Sequence, residues 1–298
     1  MILFTRCKQV IQEEKVYWPD NAIENENPFD IDLSTGFILL PIEAENDTLK
    51  FIFDTGVDEI LLFPNKRTTK LNFRKGDQLN SRQGLHTIDG YMLHNLSFEF
   101  ASIQFEKMSA IMTDMNRFPV EFRSYIEQKE IDGMIGYDIL KFAPVELDIR
   151  SGRGIIYRNA IQVDEDSVTT TELSFVDNKP YITSRIKFDS IDIGVKLHLD
   201  LGNLGTLELI PSTLDDFTLP VNSEKSEGYG ISGKYDIYLG ITNQLQIGEI
   251  TIDSIPTAYI MENLYEETGR NGKIGLEVLK PFRMILDYQN ERLILQRE

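Results

Sequence analysis

The chain has 298 residues, 41% of them hydrophobic, enough to bury a substantial core and to divide into two units of ordinary domain size. Its 30 Lys and Arg against 48 Asp and Glu leave a net charge of −18, which argues against a nucleic-acid partner, because affinity for phosphates is built from clustered cations. One cysteine, Cys7, excludes an intrachain disulfide, and three histidines without metal-ligand spacing offer no zinc motif.

In chain order, Met1 to Cys7 lacks the apolar stretch of a secretory signal. No later segment approaches the ~20 apolar residues of a membrane span. The chain therefore reads as soluble and, by default, cytoplasmic; a truncated start would make it periplasmic or secreted. Residues 1–34 are polar and mixed, and read as an N-terminal extension laid over a first lobe, residues 35–164. From Gly36 onward short apolar runs dominate: Phe37 to Ile42, Leu49 to Phe53, Ile60 to Phe63 and Leu96 to Phe100. Their length, and the Gly, Asn and Asp between them, predict strands. Pro119 to Lys129 breaks the pattern, with Val120, Tyr125 and Ile126 on one helical face. Residues 158–178 form a polar crossing in which Leu173 to Val176 adds a strand, and a second lobe follows, residues 165–298. In it, Met261 to Thr268, closed by Gly269, predicts another short helix. The fold class is all-β, with one short helix per lobe.

The two lobes read as copies. Asp54-Thr55-Gly56 follows the apolar Phe51-Ile52-Phe53, and Asp200-Leu201-Gly202 follows Leu197-His198-Leu199. Gly136 and Gly275 end the matching segments Met134-Ile135-Gly136 and Lys273-Ile274-Gly275, and Asp148 and Asp287 close matching strands. The aspartates lie 146 positions apart, whereas the later landmarks lie 139 apart, so a single loop absorbs the difference.

An Asp that ends a buried strand, with Gly two residues later, can simply close a turn on its own backbone. One in each of two repeated halves supports a different chemistry. Two carboxylates about 3 Å apart cannot both ionise cheaply, so they share a proton. The ionised partner can take a proton from water while the protonated one donates to a carbonyl oxygen.

These residues resemble the aspartic proteases, and among them the single-chain, duplicated relatives of the retroviral proteases, called retropepsin-like. Phe53-Asp54-Thr55-Gly56-Val57-Asp58 is similar to the family's Asp-Thr-Gly-Ala-Asp loop, and Met134 to Leu140 to its later Ile-Ile-Gly segment. The resemblance covers residues 36–296. It implies two β-barrel lobes of the acid-protease type, a monomer acting on a polypeptide substrate, and neither cofactor nor metal. It implies Asp54 and Asp200 as the catalytic pair, Thr55, Gly56, Gly202, Gly136 and Gly275 as support of the catalytic loops, and Asp58 on the substrate backbone. The closing hairpins implied are residues 83–91, with Gly84 and Tyr91, and residues 228–235, with Tyr229 and Gly230. Leu201 departs from the pattern, standing where the family has Thr. A peptide-binding protein with a decayed second site is the alternative that this departure keeps open. Gly228-Tyr229-Gly230-Ile231-Ser232-Gly233 has the spacing of a dinucleotide loop, but alternating residues follow it and no strand precedes it, so a glycine-rich hairpin is expected. His198, between Leu197 and Leu199, is expected on the less buried side of its strand.

Overall fold

The computed structural model describes residues 13–19, 25–83, 86–188, 191–215, 217–230, 233–261 and 269–297, and for 80–83, 86–89, 229 and 230 the backbone alone. The expected helix at Met261–Thr268 and the hairpin tip at Gly84 lie outside these residues, apart from Met261.

Alternation drives the local structure. The strands of the first half are β1 (Lys15–Tyr17), β2 (Glu26–Asp30), β3 (Leu39–Ala44), β4 (Asp47–Phe53), β5 (Ile60–Leu62), β6 (Arg74–Gln83), β7 (His86–Phe100), β8 (Ile103–Thr113), β9 (Gly133–Ile135), β10 (Val145–Asp148) and β11 (Arg153–Tyr157). Those of the second are β12 (Thr169–Val176), β13 (Lys179–Phe188), β14 (Ile191–Leu199), β15 (Leu207–Leu209), β16 (Glu224–Gly230), β17 (Gly233–Ile247), β18 (Ile250–Ile260), β19 (Gly272–Ile274), β20 (Phe282–Asp287) and β21 (Arg292–Arg297). In β3, Leu40, Ile42 and Ala44 point inward while Pro41 and Glu43 face solvent, as a half-buried pleated strand requires.

Each half closes a six-stranded ring. The first runs β8-β5-β9-β4-β3-β7 and closes through β7–β8; the second runs β18-β15-β19-β14-β13-β17 and closes through β17–β13. Every strand from β2 to β11 thus has its counterpart ten strands later. A further sheet, β12-β21-β20-β10-β11-β2, joins the barrels. At its centre Glu146 pairs with Ile285, its own counterpart 139 positions on, so the approximate twofold axis of the repeat runs through that pair. The segment expected as an extension holds β1 on the edge of the first barrel and β2 on the edge of the joining sheet. Because β2 and β12 occupy opposite edges of that sheet, the repeat begins before residue 35.

Among the described residues the helices are short: α1 (Val120–Lys129), α2 (Tyr137–Leu140) and α3 (Leu276–Leu279). Glu130, left-handed at φ 53°, ends α1. Its inner face is Ile126 with Phe122, one turn apart, and Tyr125, so the expected Tyr125 and Ile126 pack inward, whereas Val120 is 62% exposed and Phe122 stands in its stead. Val120 precedes Phe122 by two residues, about 200° around the helix. Helices α2 and α3, each one turn long, follow Gly136 and Gly275 and had no signal of their own in the sequence. Gly228, Tyr229 and Gly230 end β16 and Gly233 begins β17, so a strand lies on each side of this segment; Ile231 and Ser232 lie outside the described residues. Among the described residues no helix is long and apolar enough to cross a membrane.

One apolar core runs through both barrels and the joining sheet. A second apolar layer, including Ile52, Leu61, Ile131 and Met134, lies in the first half.

Candidate active site

Strand β4 delivers Asp54 and β14 delivers Asp200. Strand β9 lies parallel to β4, with Ile135 opposite Phe53, and β19 lies parallel to β14, with Ile274 opposite Leu199. Each also pairs antiparallel with the next strand, β9 with β5 and β19 with β15, so each is threaded between the strands that flank an aspartate loop. The Asp54 amide donates to Ile135 O at 2.9 Å and the Asp200 amide to Ile274 O at 3.0 Å. This close threading requires glycine. A Cβ on Gly136 would lie 2.0 Å from Asp54 O, and one on Gly275 would lie 2.2 Å from Gly205 O.

The loops interlock between halves. Thr55 Oγ1 donates to Leu199 O at 2.5 Å and accepts from the Leu201 amide at 3.0 Å, so one hydroxyl joins the two halves. The opposite position is Leu201, fully buried in the core, which offers no second hydroxyl. A Cβ on Gly202 would fall 2.2 Å from Asp54 Cγ, so the Asp54 carboxyl packs directly on the other half's glycine. A Cβ on Gly56 would fall 2.9 Å from Asp54 Oδ1 and 3.4 Å from Asp200 Oδ1. The structure therefore brings together Asp54, Asp200, Thr55, Gly56 and Gly202, with Gly136 and Gly275 behind the loops.

The carboxyls differ in charge preference. Asp54 is 7% exposed; burial pushes its carboxyl well above the usual range, and the Asp200 charge and a hydrogen bond to Asp200 add to this, against the 2.6 Å bond that Oδ1 accepts from the Gly56 amide. Burial acts on Asp200 in the same direction, but the Lys273 ammonium, by its charge and its hydrogen bond, together with the Arg270 guanidinium, outweighs it and holds Asp200 below the usual range. Lys273 Nζ lies 3.2 Å from Asp200 Oδ2 and 3.5 Å from Glu208 Oε2. The surroundings thus favour the proton on Asp54 and the negative charge on Asp200.

Sequence reasoning missed the charged surroundings of Asp200. His198 is 4% exposed, not on a less buried side: the barrel core covers one face of β14, and the Tyr181 ring, 5.2 Å away, and Arg270 cover the other. Arg270 Nη1 lies 3.3 Å from His198 Nδ1; because guanidinium only donates, Nδ1 accepts and the imidazole proton sits on Nε2. Burial drives the His198 pKa down to about 3, so the ring is neutral. Glu208, 8% exposed, also accepts from Asn203 Nδ2 at 2.9 Å. Lys273 was visible as a departure from Met134 at the matching position, but nothing local named its partners.

Other expected site residues lie further out. Asp58 is half-buried just past the loop, and its charge acts on Glu59. Tyr91, 40% exposed on β7, lies under the Lys75 ammonium at 3.4 Å. The backbones of Tyr229 and Gly230 pair with Lys234 and Gly233 at the end of the β16–β17 hairpin. That end reaches the first half: a Cβ on Gly233 would lie 3.9 Å from Pro119 Cγ, at the start of α1. Gly84 lies outside the described residues. Among the described residues no three His, Cys, Asp or Glu side chains converge as a metal set. In comparisons with known proteins, no family model matches the chain and no curated protein matches it.

Proposed function

We propose that the protein is an aspartic endopeptidase, hydrolysing peptide bonds with a water activated between Asp54 and Asp200. The observation that carries this reading is the meeting of two carboxyls, one from each repeated half, on facing glycines, with unequal proton affinity. Ionised Asp200 takes a proton from water as the water oxygen attacks the peptide carbonyl carbon, and Asp54 gives its proton to the carbonyl oxygen. The tetrahedral intermediate then collapses: Asp200 passes its proton to the leaving nitrogen, the C–N bond breaks, and a hydroxyl proton of the intermediate returns to Asp54. The step balances without metal or covalent intermediate. The substrate is an extended polypeptide whose backbone adds to the β6–β7 and β16–β17 hairpins.

The second reading is a peptide-binding protein with an impaired site, and two observations favour it: Leu201 lacks the second hydroxyl and Lys273 occupies one oxygen of Asp200. The test is cleavage of unfolded casein between about pH 3 and pH 7, with and without pepstatin, by wild type, Asp54→Asn and Asp200→Asn. Pepstatin-sensitive cleavage lost in both variants supports the peptidase. Wild-type cleavage that persists in Asp54→Asn overturns the assignment of the pair. Peptide binding without cleavage, unaltered by Asp200→Ala, selects the second reading.

A further inference from the structure

A symmetric aspartate pair has no reason to place its single negative charge on one member rather than the other. This pair is not symmetric. The threaded strand's residue opposite Ile52, two positions before Asp54, is Met134, packed in an apolar layer; its counterpart, opposite His198, is Lys273, whose side chain is 19% exposed. Lys273 reaches Asp200 Oδ2 at 3.2 Å and is steadied from the far side by Glu208 Oε2 at 3.5 Å. The groups around this ion pair come from several elements: Asp54 from β4, His198 from β14, Glu208 from β15, Arg270 from the segment before β19, and Lys179 and Tyr181 from β13. Tyr288, buried after β20, faces Asp54. Of the cations, Lys273 has the leading influence on Asp200.

We propose that Lys273 is a positioning residue that assigns the negative charge of the pair to Asp200 and leaves the shared proton on Asp54; its catalytic consequence rests on the peptidase reading. Asp200 is then always the base that receives the water proton and Asp54 always the acid, which fixes the direction in which a scissile bond lies across the cleft. The ammonium also lowers the pH at which the pair gains a second proton and the pH at which it loses its last one. The whole activity window therefore sits lower on the pH axis than an isolated pair would place it.

The test reads the carboxyls directly and does not need turnover. In uniformly 13C-labelled protein, the side-chain carboxyl signals of Asp54 and Asp200, identified by their loss in Asp54→Asn and Asp200→Asn, are followed against pH. Lys273→Met copies the residue of the first half and is expected to raise the Asp200 midpoint by about 1–3 pH units, the usual effect of an adjacent opposite charge, while Lys273→Arg keeps it low. In parallel, both limbs of the kcat/KM profile on a casein peptide move upward in Lys273→Met and return in Lys273→Arg. If Lys273→Met does not fold, Lys273→Met with Glu208→Leu, which reproduces the Met134 and Leu61 pair, takes its place. An unmoved Asp200 midpoint, or a rise confined to Asp54, overturns the proposal. A wild type that cleaves nothing but whose Asp200 midpoint rises in Lys273→Met sinks the peptidase reading and leaves the charge assignment standing.

Discussion

The first barrel places Ile52, Leu61, Ile131 and Met134 in one apolar layer beside its aspartate, whereas the same positions of the second hold His198, Glu208, Arg270 and Lys273. The backbone is nearly indifferent to this exchange. In both halves the amide four residues before the aspartate is held by the residue before the threaded strand's first glycine: Lys50 N donates to Asp132 Oδ2 at 2.8 Å, and Lys196 N to Asn271 Oδ1 at 2.7 Å. Main-chain hydrogen bonds and glycine contacts shape the loops, and side chains on the outer face are free to change chemistry. An apolar layer stabilises by leaving water, whereas a charged one is tolerated only when each charge is paired, because desolvation otherwise costs several kcal/mol per ion. The second half therefore exchanges stability for control of the charge on Asp200.

The largest expected effect tests whether the halves act as one centre. Asp54→Asn and Asp200→Asn should each lower kcat/KM on a casein peptide by about 10²- to 10⁴-fold, and a loss in only one variant would mean that the halves are not partners. Next is the packing of Asp54 on Gly202. Gly202→Ala should destabilise by about 1–3 kcal/mol in urea unfolding, because its Cβ would lie 2.2 Å from Asp54 Cγ; a neutral result would show that the carboxyl can move aside at no cost.

The single hydroxyl between the loops gives a sharper contrast. Thr55→Val keeps the shape but strands the Leu201 amide and Leu199 carbonyl, each at about 1–3 kcal/mol, whereas Leu201→Val removes only packing, about 1 kcal/mol. Equal losses in the two would remove the claim that the Thr55 hydroxyl ties the loops.

The smallest effect concerns Glu59, just before β5, where the second half has Thr206 before β15. Burial, then Asp58 and Asp138, push its carboxyl up to about 7. A carboxyl that holds its proton more tightly folded than unfolded contributes stability that is full below about pH 4.5 and lost as pH rises through about 7. Glu59→Gln should flatten that part of the urea-midpoint profile between pH 4 and pH 8, and an identical slope in wild type and variant would discard it.

Much of the architecture was legible in the chain because strands announce themselves locally. Phe51 to Phe53 is an apolar run and Leu197 to Leu199 has leucines flanking His198; both stop at Asp, and a Gly two residues later marks the turn. The helix at Val120 was legible too, as was the inward side of Tyr125 and Ile126, but only the position of the second apolar layer decides whether Val120 or Phe122 turns inward with them. The two strands inside residues 1–34 escaped notice for a related reason. Glu26-Asn27-Pro28-Phe29-Asp30 buries only Asn27 and Phe29 and is strand only because β11 offers it an edge.

By itself, then, the sequence determined the repeat, the all-β character, the two aspartates and the glycines that let the chain turn beside them, since each is written in a few consecutive residues. Tertiary structure decided what the aspartates touch. Parallel pairing of β14 with β19 sets His198 opposite Lys273, and antiparallel pairing of β15 with β19 sets Glu208 there too. Strand pairing chooses partners dozens of residues apart by global closure of the barrel, so no local pattern could place an ammonium against Asp200.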